Sequence, residues 1–169
     1  NISETPSDEN VMSEKAVSNL VSNYAEHDEI VGENLIPYPY AQPERTTNGI
    51  TFTFADDGSV IANGTATADA DFSVCVRTDI GTDRALMLNP GTYAITGCPE
   101  GGSASTYEIH VQFGDKTGVK YNLRADYGKG FVFEVTEEYA QYACQIQCHV
   151  KSGYTVSNLV FKPMLVRGS

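Results

Sequence analysis

From Ile50 to Leu165 the apolar residues recur with period two, and no stretch of helical period interrupts them. Such alternation is what a strand with one buried and one wet face produces. Ile50-Thr51-Phe52-Thr53-Phe54 is the plainest case. Phe72, Val74 and Val76 share one face of a second run, and Tyr107, Ile109, Val111 and Phe113 one face of a third. Phe131, Phe133 and Val135 follow, then Tyr142, Cys144, Ile146, Cys148 and Val150. Turn signals separate the runs: Asp56-Asp57-Gly58-Ser59, Asn89-Pro90-Gly91, Glu100-Gly101-Gly102-Ser103, Gly114 to Gly118, Asp126-Tyr127-Gly128 and Gly153. The last run is Val156 to Leu165, ending near Pro163. The pattern predicts about nine or ten short antiparallel strands, arranged as a sandwich or a barrel. Parallel βαβ units are excluded because nothing supplies the crossover helices.

Residues 1–33 read differently. They are polar and acidic and carry no strand pattern. Ser13 fits an N-cap, and Val17, Leu20, Val21 and Tyr24 fall at i, i+3, i+4 and i+7, one face of a short α-helix. A helix of three or four turns is marginal alone, so this stripe needs a partner. It can pack on the β-domain or on copies of itself as an oligomer seam. The chain therefore divides into a helical connector, 1–33, and an all-β domain, 34–169.

Charge narrows the function. With Lys and Arg numbering 11 against 22 Asp and Glu, the net charge is −11. Phosphate backbones need clustered cations, so nucleic acid is excluded as a partner, and anionic membrane surfaces with it. The apolar runs are too short for a membrane-spanning helix.

The four cysteines are Cys75, Cys98, Cys144 and Cys148. Cys144 and Cys148 share a strand, where four residues span roughly 13 Å, too far for a disulfide. Without a C-x-x-C pair no zinc site is signalled, and free buried thiols are expected. Neither a cofactor nor a metal is predicted.

Enzyme signals are sparse. Glu108 and His110 share the wet face of their strand and could exchange protons, but His110 reads more simply as an exposed strand histidine. His149 points away from Cys148, so the two make no nucleophile pair. Asp69 with Asp71, and Asp79 with Asp83, offer oxygens to a hard cation but match no calcium loop; solvated loops account for them. For a glycan, Tyr121, Arg124, Asp126 and Tyr127 gather two rings, a guanidinium and a carboxylate around one turn. Tyr38 and Tyr40 form another aromatic pair, which reads as a cap on the sandwich end with rings buried and hydroxyls wet.

Several segments resemble a β-sandwich module of virion proteins from phages that infect Gram-positive gut bacteria. They are Asn34-Leu35-Ile36-Pro37-Tyr38-Pro39-Tyr40, Asn48 to Thr53, Asp56 to Val60, Asn63 to Ala66, Leu88 to Tyr93 with Gly97-Cys98-Pro99, and Val156 to Leu165. Val11 to Val17 is similar to a segment that joins stem to domain in tail-fibre and head-fibre proteins. The resemblance implies a jelly-roll sandwich shaped like a carbohydrate-binding module, usually trimeric. It implies a non-enzymatic role in a virion, holding a bacterial surface polysaccharide or other virion proteins. A bacterial surface adhesin, the carbohydrate-binding accessory of a hydrolase, or a purely architectural domain are the alternatives.

Overall fold

The computed structural model describes residues 32–168. The helix expected at Val17, Leu20, Val21 and Tyr24, with its oligomer seam, lies outside the described residues. Within them the fold is all-β and sandwich-like, with eleven antiparallel strands in three sheets. The strands are β1 (Arg45–Thr47), β2 (Ile50–Phe54), β3 (Val60–Thr65), β4 (Ala70–Cys75), β5 (Gly91–Thr96) and β6 (Tyr107–Asp115). They continue as β7 (Gly118–Asp126), β8 (Phe131–Val135), β9 (Ala143–Val150), β10 (Thr155–Phe161) and β11 (Met164–Arg167). Single 3-10 turns at Arg77–Asp79 and Tyr139–Gln141 complete the list.

One layer is the sheet β4-β9-β6-β7. Facing it are the sheets β1-β2-β3-β10 and β11-β5-β8. Aromatic pairs join the layers: Phe52 meets Phe72 at 5.9 Å and Phe113 meets Phe133 at 6.4 Å between ring centroids. Every residue of the alternating set Ile109, Val111, Phe113, Cys144, Ile146 and Cys148 is fully buried. Burying such side chains at roughly 25 cal/mol per Å² of apolar surface is the main force holding the layers together.

The strand count exceeds the expected nine or ten for two reasons. A short hairpin precedes β2, turned by Asn48 and Gly49 with φ of 47° and 83°, the signature of a type I′ turn. The last expected run is also two strands. Pro163 has no N–H to give a ladder, so β10 ends at Phe161 and β11 enters the other sheet of its layer. The Lys162 N–H reaches the Gly97 carbonyl at 2.8 Å across the junction. A further correction concerns Val76, which lies beyond β4. A bulge between Ser73 and Cys75 inserts an extra residue and turns Cys75 into the core instead.

Candidate functional site

The split between β10 and β11 opens one end of the facing layer. There a cleft of about 640 Å³ forms, walled by the entering segment Asn34–Tyr40, the Asp56–Ser59 turn, Thr96–Cys98, the loop after β7 and Lys162–Met164. Asn34 anchors the entering segment: its amide donates to Pro163 O, and its carbonyl accepts from Ile36 N and Leu165 N, each at 3.1 Å. Tyr40 is buried beneath it and donates its hydroxyl to the Gly58 carbonyl. Burial, and then the neighbouring ionisable groups, raise that phenol far above the ordinary tyrosine range. Tyr38 stands edge-on to Tyr40 at 5.1 Å and is 54% exposed. The cap reading thus holds for the buried Tyr40 ring but not for its hydroxyl, which Gly58 takes up, and fails for Tyr38, whose ring is left on the rim.

Asp57, Lys129 and Lys162 also line the cleft. The backbone and hydroxyl of Ser59 hold the Asp57 carboxyl below its usual range, so it is ionised at neutral pH. The cleft therefore offers one free ring, a carboxylate, two ammonium groups and loop backbone. This is the combination of flat apolar surface and a few polar groups that a sugar uses.

Of the four residues expected around one glycan-binding turn, Arg124, Asp126 and Tyr127 stay together where β7 ends, and Tyr121 lies apart. Strand β7 extends from Gly118 to Asp126, bulged against β6 between Leu123 and Asp126, and keeps Tyr121 up to roughly 16 Å along the strand from Asp126. Tyr121 packs with Tyr139 at 4.3 Å and Tyr142 at 5.9 Å, and its hydroxyl binds Glu138. That bond and burial push its phenol up to about 12. Asp126 is fully buried. One of its oxygens accepts from Cys98 N at 2.9 Å, the other from Gly128 N and Gly130 N at 2.8 and 2.7 Å. Its carboxylate shapes the cleft wall and has no face to present to a sugar. Tyr127 is half-buried in the same loop, and Arg124 lies within β7.

A second polar cluster sits on the outer face of β4-β9-β6-β7. Glu108 pairs in register with His149, and His110 with Gln147. Glu108 Oε1 lies 3.4 Å from His149 Nδ1, 3.9 Å from His110 Nδ1 and 3.3 Å from Lys151 Nζ. Burial alone would raise the Glu108 carboxyl, but His149, Lys151 and His110 together hold it low, so it is ionised. Burial lowers His110, which is neutral at pH 7. Glu108 is only 3% exposed, and the His110 side chain 13%, so His110 is half-buried and not the exposed strand histidine expected. Long side chains from the neighbouring strand cover Glu108. Alternation within one strand could not show this, because it depends on β6 lying beside β9. As expected, Cys148 faces the core while its neighbour His149 faces out.

The acidic pairs have separate tasks. Asp69 accepts from Ser152 N at 2.8 Å, and Asp71 from the Gln147 amide at 3.2 Å. All four thiols are free and buried. Burial raises Cys75 and Cys98 to about 12 and the other two well above the usual value, so none is a ready nucleophile.

Neither a family model nor a curated protein matches the sequence. Among solved structures, the chain is similar to one described as accessory secretory protein 1, 2 and 3 in Streptococcus pneumoniae. Identity is 15% and the TM-score 0.49, over 83% of this chain and 100% of that one. A likeness at that level carries no argument about function.

Proposed function

We propose that this chain is a non-enzymatic module of a phage fibre, a jelly-roll sandwich that attaches a virion to a bacterial surface polysaccharide. The observation that carries the reading is the Tyr38 rim of the cleft. A ring 54% exposed is held in place by its edge contact to the buried Tyr40, beside the ionised Asp57 and the cleft's lysines. A rigid aromatic platform costs little conformational entropy on binding, and polar neighbours set the orientation of the sugar. The segment that supplies Tyr38, Asn34 to Tyr40, is also one of those resembling the phage module.

One such site is weak. Fibres overcome this by number: copies joined through the stripe Val17, Leu20, Val21 and Tyr24 would present several clefts at once, and avidity then exceeds single-site affinity by 10²–10⁴. The reduced thiols fit assembly in a host cytoplasm before release as virion.

An array of Gram-positive wall polysaccharides tests the proposal. Wild type binds a subset, and Tyr38→Ala loses the signal while keeping its melting temperature. Silence of the wild type across the array favours an architectural role. Light scattering on the full chain tests the oligomer, a trimer being expected.

A further inference from the structure

Away from the cleft, two imidazole nitrogens and a carboxylate oxygen lie close together on the outer face of the sheet. The ligand atoms of Glu108, His110 and His149 all lie within 4.8 Å of one another. The outer contact of His110 shows which of its nitrogens is bare. His110 Nε2 bonds the Asn122 side-chain oxygen, an acceptor, so Nε2 carries the proton and Nδ1 has a lone pair directed toward Glu108. His149 Nε2 lies 3.9 Å from the exposed Asp69 carboxylate, and its Nδ1 lies 3.4 Å from Glu108 Oε1. His149 Nδ1 is buried and has no hydrogen-bond partner. Both Nδ1 atoms thus face one negative oxygen, and once His149 carries its proton on Nε2 the three make a donor set that a cation can bridge. Lys151 Nζ approaches only the carboxylate, 3.3 Å from Glu108 Oε1, and leaves both nitrogens unserved.

We propose that Glu108, His110 and His149 form a binding site for a divalent transition-metal ion of the zinc type, bridging β6 and β9. Two imidazoles with one carboxylate are a donor set that such ions take, and calcium or magnesium would demand oxygens instead. Asn122 and Asp69 stand where outer partners orient ligating histidines. The His110 and His149 rings are stacked, 6.1 Å apart and 6° from parallel, so shared coordination requires one ring to turn about its χ2. Bond lengths near 2.1 Å then require a small inward movement of the three side chains. The ion displaces the Lys151 ammonium, whose long side chain is part-exposed and can swing to solvent. Three protein ligands leave at least one position open toward solvent.

The test is calorimetric titration of the untagged full chain with Zn²⁺, paired with the absorption of bound Co²⁺ in the visible. One equivalent binds, with Co²⁺ bands of nitrogen–oxygen coordination. His110→Ala and His149→Ala each weaken binding more than tenfold. Asn122→Ala, which touches no ion, weakens it about tenfold. Lys151→Met tightens it at least about fivefold by removing a competing charge. His27→Asn changes nothing. Should Glu108→Gln fail to fold, paramagnetic broadening by Co²⁺ in the intact chain replaces it, and must centre on the His110 and His149 rings. The proposal fails if no ion binds, if broadening centres elsewhere, or if His27→Asn abolishes binding while the His110 and His149 variants retain it.

Discussion

The Asp126 carboxylate holds the Cys98 N–H at 2.9 Å across 28 residues of chain, and so ties the loop after β7 to the end of β5. Its other oxygen gathers Gly128 and Gly130. Asp126→Ala leaves three inward backbone donors without a partner. Each such loss costs about 1–3 kcal/mol, so the variant should lose at least about 3 kcal/mol in a urea titration. Asp126→Asn keeps the acceptor for the glycines but turns an amide donor toward Cys98 N, and falls between.

Gly97 tests the junction where the facing layer divides. A Cβ there would stand 1.8 Å from the Lys162 carbonyl oxygen, at φ +110°. Gly97→Ala must therefore move backbone, and a loss of more than about 3 kcal/mol is expected. Gly153 is the control. Its φ is +82° but nothing lies within 4 Å, so Gly153→Ala costs only the left-handed strain of about 1–2 kcal/mol.

The thiols predict alkaline behaviour. Burial raises Cys75 and Cys98 from 9.0 to about 12 in the folded chain, while the unfolded chain titrates at the ordinary value. A group raised by folding contributes stability that is complete below its unfolded value and lost as pH rises toward the folded one. The midpoint of denaturation should hold up to about pH 9 and then fall between about 9 and 12. Replacing Cys75 and Cys98 with Ala or Val should shrink that fall, and the rest belongs to Cys144, Cys148 and Tyr40, which burial also raises. A thiol reagent at pH 8 should label none of the four until the chain unfolds.

Much of the sandwich was legible because period two is a direct imprint of a half-buried strand. The faces of β6 and β9 could be assigned residue by residue from Tyr107–Phe113 and Tyr142–Val150. What alternation cannot encode is which strands are neighbours. Glu108 and His149 stand 41 positions apart (149 − 108) and met only when β6 paired β9. The same limit misplaced Tyr121, because a strand that runs on to Asp126 separates residues that a turn would gather. The free ring of Tyr38 was hidden for another reason. Tyr38 and Tyr40 look alike in sequence, and only the packing of the Asp56–Ser59 turn buries one and spares the other.

Tyr121 and Tyr38 are thereby set against each other as ligand contacts. Tyr38→Ala should weaken polysaccharide binding about tenfold, the loss of one stacking contact. Tyr121→Ala should leave affinity unchanged while lowering stability, since its ring packs on Tyr139 and Tyr142. Isothermal calorimetry and thermal melts on the two variants separate the cases.

The central claim is that the Tyr38 cleft holds a bacterial surface polysaccharide. Titrating the isotope-labelled chain with soluble fragments of a Gram-positive wall polysaccharide, and following backbone amide shifts, tests it most directly. The account predicts shifts confined to Tyr38, Gly58, Gly97 and the Asp126–Gly130 loop, needing about ten times more fragment in Tyr38→Ala. Shifts centred on Tyr121 and Tyr139, or none at saturating fragment, would contradict it.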